Sequence, residues 1–230
     1  MLGNLIFRHD FVEFPEIASY ENKNGRFYKT PIGEFPSVTT FLGAMSPKKG
    51  EGFQKWKDRV GEREASRILS QAGVRGKLMH TLIEQYIMME QIDKKPLMPS
   101  SLQSFNQFKT ELDRHLSVVH AIEFPMYSKT LRIAGRGDMW GVWGNKNSMI
   151  DFKTSLREKL AEYIEGYFLQ LTAYAMMLEE MTLKPCDQIV VLMACDDTPK
   201  AQVFVESSHK YRDKIRDMAH EYHTTYPIIS

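Results

Sequence analysis

"LRIAGRGDMWGVWGNKNSMIDFKTS", residues 131–155, decides how this chain is read. Runs rich in Ile, Met, Trp and Val lie on either side of "GNKN", which reads as a hairpin turn. The second run, "MIDFKTS", looks like a buried strand, yet it carries Asp151 and Lys153 near its end. Residues i and i+2 of a strand face the same way. Asp151 and Lys153 therefore share one spot, and Phe152 turns to the opposite side, into the core. Counting back through the turn places Asp138 at a similar height on the paired strand. Two carboxylates and one ammonium then converge. Close carboxylates do not both ionise cheaply without a cation, and carboxylate oxygens suit Mg²⁺ or Mn²⁺. A protonated lysine cannot ligate, but it can hold an attacking water or offset charge building on a phosphoryl group. The combination points to phosphodiester hydrolysis. Taken alone, Asp-x-Lys is more often an ion pair on an edge strand. The upstream "GRGD" and the helix that follows move the balance towards a site.

Outward from this hairpin the chain divides in two. Residues 1–36 read as irregular, with a hairpin at "GRFYKTPIGEF" around Gly33. Residues 37–118 read as a helical block. It opens with a short helix capped by Ser37. A helix over "KGEGFQKWKDRVGEREASRILSQAG" follows, ending near Gly73. Another covers "RGKLMHTLIEQYIMMEQ", and a third begins at Ser100 or Ser101. Residues 119–230 read as β-β-β-α-β-β-α, from "VVHAIEFPMYS" to the closing helix "HKYRDKIRDMAHEYH". The expectation is one domain over 1–230 of α/β class. A central mixed sheet is flanked by helices, and the helical block elaborates it.

The helix "EKLAEYIEGYFLQLTAYAMMLEE" carries two stripes. Ile164, Phe168, Leu171, Ala175 and Leu178 form a core stripe. Tyr163, Tyr167, Gln170 and Tyr174 form a second, more polar one. That second stripe is either an amphipathic boundary or a set of groups aimed at a phosphate backbone or bases. His80, in "RGKLMH", is either a satisfied core histidine or a ligand, since a neutral imidazole suits Mn²⁺.

These features together resemble the PD-(D/E)xK nuclease superfamily in its RecB-type branch. That branch shows His on a helix, a turn with Asp, D-x-K on a strand, then Gln and Tyr four apart. Here these are His80, "GRGD" with Asp138, "IDFKTS" with Asp151 and Lys153, and "QLTAY" with Gln170 and Tyr174. "SVTTFLGAM", "FQKWKDR", "RGKLMH" and "IAGRGDMWGVW" are further similar to the mitochondrial genome maintenance exonuclease group and its phage and bacterial relatives. The resemblance spans about residues 36–205. Gly137 stands where the superfamily's Pro precedes Asp, a departure that the RecB branch tolerates.

The resemblance implies a restriction-endonuclease-like fold that degrades single-stranded DNA from free ends with Mg²⁺ or Mn²⁺. It implies His80, Asp138, Asp151 and the backbone carbonyl of Phe152 as metal ligands. Lys153 becomes the catalytic lysine, and Gln170, Tyr174 and Tyr167 position the strand. Glu123, in "IEFPMY", sits where some of these nucleases place another acid. It is equally read as a surface or ion-paired residue. Two cysteines exclude the four-cysteine iron–sulfur variant of the family. Residues 37–72 would help to arch over the site so that a strand threads through.

That segment has its own charge pattern. Lys48, Lys49, Lys55, Lys57, Arg59, Arg63, Arg67, Arg75 and Lys77 alternate with few acids, and Phe53 and Trp56 are interleaved. Arg75, Trp56, Lys55 and Lys57 are candidate contacts to a single strand. The other reading is a solvated helix face with Trp56 in the core. The net charge of +1 neither announces nor excludes a nucleic-acid partner. Cys186 and Cys195 fit no metal pattern and are expected as reduced, buried thiols. No apolar run approaches the ~20 residues needed to span a bilayer. "MLGNLIFRHDFVEF" has neither a secretory nor a mitochondrial leader pattern. A monomer in the cytoplasm of a bacterial or phage-infected cell is expected, without membrane partners. The rival readings are a flap or junction endonuclease on the same fold and a non-catalytic DNA-binding recombination accessory protein.

Overall fold

A computed structural model describes residues 7–45, 49–93 and 97–226, the side chains of 49–53 excepted. Lys48 and the side chains of Lys49 and Phe53 therefore lie outside the described residues. In chain order the elements are β1 (Arg8–His9), β2 (Ala18–Asn22), β3 (Gly25–Thr30), β4 (Gly33–Pro36), α1 (Val38–Ala44), α2 (Lys49–Val60), α3 (Glu62–Ile87) and α4 (Pro99–His115). Then come β5 (Leu116–Ser128), β6 (Ile133–Trp143), β7 (Lys146–Ser155), a 3-10 turn (Ala161–Ile164), α5 (Glu165–Thr182), β8 (Gln188–Cys195), β9 (Gln202–Ser207) and α6 (Arg212–Thr225).

Six strands form a mixed sheet in the order β1-β5-β6-β7-β8-β9, and β2-β3-β4 form a separate antiparallel meander. The β1–β5 and β7–β8 pairs are parallel, and the others in the large sheet are antiparallel. α5 makes the crossover from β7 to β8. Helices cover both faces. On one, Met79 and Ile83 of α3 and Phe105 and Phe108 of α4 meet Met139, Ile150, Phe152 and Leu192. On the other, Leu171, Ala175 and Leu178 of α5 meet Trp140, Met149 and Val191. β8 is buried at every position. Its side chains go alternately to the two layers, so "QIVVLMAC" shows an unbroken apolar run rather than an alternation. Among the described residues, no helix is long and apolar enough to cross a membrane. Cys186 and Cys195 are free and buried.

The predicted elements are present, with five differences. Residues 1–36, expected as irregular with one hairpin, also hold β1, which pairs with β5 in the large sheet, and β2, which extends the hairpin to a meander. The hairpin turn is two residues, not four. Gly144 and Asn145 have φ of 55° and 70°, and Trp143 already pairs with Lys146. Positive φ at both central residues is the twist-matched hairpin turn. The helical break falls at Gly61, where φ is 85°, rather than at Gly73, and α3 runs on through Gly73 and Gly76. Burial of Ala65, Met79, Leu82, Ile83 and Ile87 along one face outweighs the low helix propensity of the two glycines. α4 begins at Pro99, with Met98 before it, because proline fits the first helical position. α5 starts later than its pattern suggests. Asp197 and Gln202 accept the backbone N–H groups of Glu158 and Lys159, which holds this stretch against the β8–β9 region instead of in a helix. The Ser37 cap is present, accepting from Thr40 N at 3.0 Å.

Candidate metal and catalytic site

Three adjacent strands carry the acids. On β6, Met139 pairs with Ile150 of β7, so Asp138 falls level with Asp151 one step further out. On the other side, Ile122 of β5 pairs with Met139 and Phe124 with Gly137, so Glu123 stands across from Asp138. Glu123, Asp138 and Asp151 thus form a row across the sheet.

The backbone is irregular at this level. Ile122 and Met139 pack towards α3 and α4. Phe124 lies in the α5 layer, and a Cβ on Gly137 would meet Phe124, Met126 and Met149 of that layer. The alternation of faces therefore breaks at Glu123 and Asp138, and Glu123 takes a φ of 47°. This irregularity lets the acids meet groups from both helical layers.

From α3, His80 Nδ1 lies 2.9 Å from Glu123 Oε1 and 3.7 Å from Asp138 Oδ1. Ligand atoms of His80, Glu123 and Asp138 all fall within 4.8 Å of one another. From the other layer, Gln170 Nε2 donates to Asp151 Oδ1 and to Tyr174 Oη, each at 3.4 Å. Lys153 Nζ lies 2.5 Å from Asp151 Oδ2 and 5.1 Å from the centre of the Tyr167 ring. The Phe152 N–H donates to Asp138 Oδ2 at 2.9 Å, locking β6 to β7. Phe152 itself is buried, edge-on to Phe108 in the opposite layer. Gly135 explains one glycine of "GRGD". A Cβ there would sit 2.6 Å from Cε1 of the Tyr174 ring.

The charges are strongly coupled. Burial first, and the Asp151 charge second, push the Asp138 carboxyl up to about 7 against the pull of Lys153 and His80. Burial works against a charged His80. The Glu123 hydrogen bond and the surrounding carboxylates outweigh it and hold His80 at about 9. Burial alone would lower Lys153 as well, yet the Asp151 and Asp138 charges raise it. Tyr174 is raised, by burial first and then by the same two carboxylates, so its phenol stays protonated.

A search against family models finds no match, and no curated protein matches. One solved structure, described as the crystal structure of SSO0001, superposes with a TM-score of 0.43 at 14% identity. The overlap covers 76% of this chain and 71% of that one. A likeness of this size assigns nothing to the chain.

The structure thus brings His80, Asp138, Asp151, Lys153, Gln170, Tyr174 and Tyr167 to one place. Its tightest ligand-type group differs from the expected one. Glu123, which the sequence allows either as a further acid of the site or as a surface residue, joins His80 and Asp138, while Asp151 is engaged by Lys153 and Gln170. Arg75, expected as a contact to a strand, is held within the protein. Its guanidinium is committed to Asp196 and to Ser104 Oγ, at 2.7 Å for the latter, as an internal brace. Lys55 is exposed on α2, and Trp56 and Lys57 are half-buried there. Tyr163 is exposed. Glu84 escaped the sequence reading. It lies one turn beyond His80, and burial, then the Glu123 charge, raises its pKa. The i, i+4 spacing from His80 was the available signal.

A pH dependence follows from these shifts. Asp138 binds its proton more tightly folded than unfolded. Its contribution to stability therefore declines as pH rises from about 4, its unfolded value, towards about 7. His80 gains partners on folding. Its stabilisation is full below about 6.5 and is lost as pH rises through about 9. Both slopes have the same sign. The metal-free protein is expected to melt at progressively lower temperature across this range, and Asp138→Asn should flatten the lower part of the curve. A divalent cation bound by His80 and Asp138 would have to displace both protons; if Mn²⁺ binds there, it should raise the melting temperature more at about pH 9 than at about pH 6. A gain independent of pH would exclude His80 and Asp138 as ligands.

Proposed function

We propose that this chain is a metal-dependent deoxyribonuclease that hydrolyses single-stranded DNA from free ends. The observation that carries this reading is the row of Glu123, Asp138 and Asp151 on adjacent strands, with His80 at one end and Lys153 at the other. Such a row concentrates negative charge, which the Asp138 proton, His80 and Lys153 offset in the metal-free protein and which a bound cation would offset in their place.

The residues fit a hard divalent ion. Carboxylate oxygens and one imidazole are suitable donors for Mg²⁺ or Mn²⁺. Asp151 is buried, and its Oδ2 lies 2.5 Å from the Lys153 ammonium, so an ion there would share this carboxylate with Lys153. His80, Glu123, Asp138 and Asp151 would hold the ion, with the Phe152 carbonyl as the further ligand implied by resemblance. When bound, the ion would supply a Lewis acid for a phosphoryl oxygen.

The other roles belong to the chain itself. Lys153 keeps its proton, so it serves as a charge stabiliser and an anchor for a water, not as a base. Gln170 fixes the Asp151 carboxylate and is itself held by Tyr174. The assay is a time course on end-labelled linear and circular single-stranded DNA with Mg²⁺, Mn²⁺ or EDTA. Linear strands should shorten from their ends, circles should survive, and EDTA should stop the reaction. Cut circles would show an endonuclease, and no metal-dependent release of nucleotides would show a binding protein.

A further inference from the structure

A cleft of about 660 Å³ opens beside Lys153, lined by Arg59, Thr154, Ser155, Leu156, Arg157, Lys159, Tyr167 and Met193. Thr154 and Ser155 continue the strand that carries Asp151 and Lys153. Tyr167 belongs to both places, since its ring underlies the Lys153 ammonium. The cleft is thus continuous with the row of acids.

Its chemistry is the reverse of theirs. Arg59 comes from the end of α2, while Arg157 and Lys159 come from the segment after β7. All three are exposed. Among the described residues none of the three makes an ion pair, although ion pairs are frequent elsewhere, as at Arg67, Lys109 and Arg212. The backbone behind them is fixed. Gln202 accepts the Lys159 N–H at 2.8 Å and donates to its carbonyl at 3.0 Å. Ser155 Oγ donates to the Arg157 carbonyl at 2.6 Å. These are exposed cations on a held frame. Ser155 lies two residues beyond Lys153, about 7 Å at ~3.3 Å per strand residue. That is about two phosphates at the ~3.4 Å per-strand rise of a duplex.

We propose that this cleft seats the phosphates of a single nucleic-acid strand on the side of the scissile bond beyond Lys153. Arg59, Arg157 and Lys159 would neutralise them, and Thr154 and Ser155 would border the path. This rests on the nuclease reading and adds the location of the substrate chain. It also gives α2 a definite task, which is to carry Arg59 to the mouth of the cleft.

The test is fluorescence anisotropy of a labelled oligothymidylate in EDTA. The variant is Arg59→Ala/Arg157→Ala/Lys159→Ala. Its affinity should fall roughly tenfold or more, and its salt slope should flatten by about 2, at ~0.7 per lost phosphate contact on a single strand. An unchanged melting temperature would show that it folds. Arg59→Lys/Arg157→Lys should retain most of the affinity. Lys146→Ala, at the far end of β7, should match the wild type. Wild-type affinity and slope in the triple variant would overturn the proposal while leaving the nuclease reading intact. Oligonucleotide binding that depends on these residues, without any Mn²⁺-dependent cleavage, would instead preserve the cleft and remove the nuclease. No binding by the wild type would end both.

Discussion

Asp151→Asn should reduce hydrolysis by on the order of 10³-fold, the scale on which a single electrostatic contact to a transition state acts. Asp151 is 1% exposed and touches both Lys153 and Gln170. The amide keeps its size but no longer balances the ammonium. Removing one partner of a buried pair costs about 3–5 kcal/mol, so this variant should also melt early. Asp151→Asn/Lys153→Met separates the two effects. With both charges gone, stability should return towards that of the wild type, while the reaction stays lost. Hydrolysis at the wild-type rate by Asp151→Asn would remove Asp151 from the site.

Gly135→Ala should cost about 1–3 kcal/mol, the usual range for overpacking a well-filled interior. The new methyl group would arrive 2.6 Å from the Tyr174 ring, which is itself buried. The ring must move, and Gln170 and then Asp151 lie next along its hydrogen bonds. Activity should therefore fall as well, by roughly tenfold, since misplacement by a fraction of an ångström is costly in a catalytic site. Tyr174→Phe in the same background restores no room, whereas Tyr174→Leu does. Recovery of stability by Leu and not by Phe, read from urea midpoints, would confirm the steric cause.

Much of this arrangement was legible along the chain because it is local. The hairpin of residues 131–155 brings Asp138 and Asp151 together through a two-residue turn, and period two puts Lys153 beside Asp151. The apolar run of β8 read as a strand, and the fold shows it buried on both faces. The unreadable parts depend on distance in sequence. Glu123 meets His80 across 43 residues, through a backbone angle that glutamate rarely adopts. Arg75 finds Asp196 across 121 residues, a brace that its sequence neighbourhood does not announce. The glycines misled for a related reason. Gly61 and Gly73 look alike in sequence, but only at Gly61 does the chain take a left-handed angle. The cations of the cleft were hidden because Lys159 falls in a stretch that reads as helix and Arg157 falls just before it.

The broken alternation at Glu123 and Asp138 also bears on fidelity. In regular strands, a slip of one residue carries every apolar side chain to the wrong face. Here each strand already changes face at the acids. A pairing that smoothed the backbone there would turn one half of each strand inside out and expose Phe124 and Met126, or Ile122 and Met139. The irregularity is therefore held in place by the apolar residues on either side of it. The acids occupy a shape set largely by these apolar neighbours, with the Phe152 N–H to Asp138 hydrogen bond as a further tie.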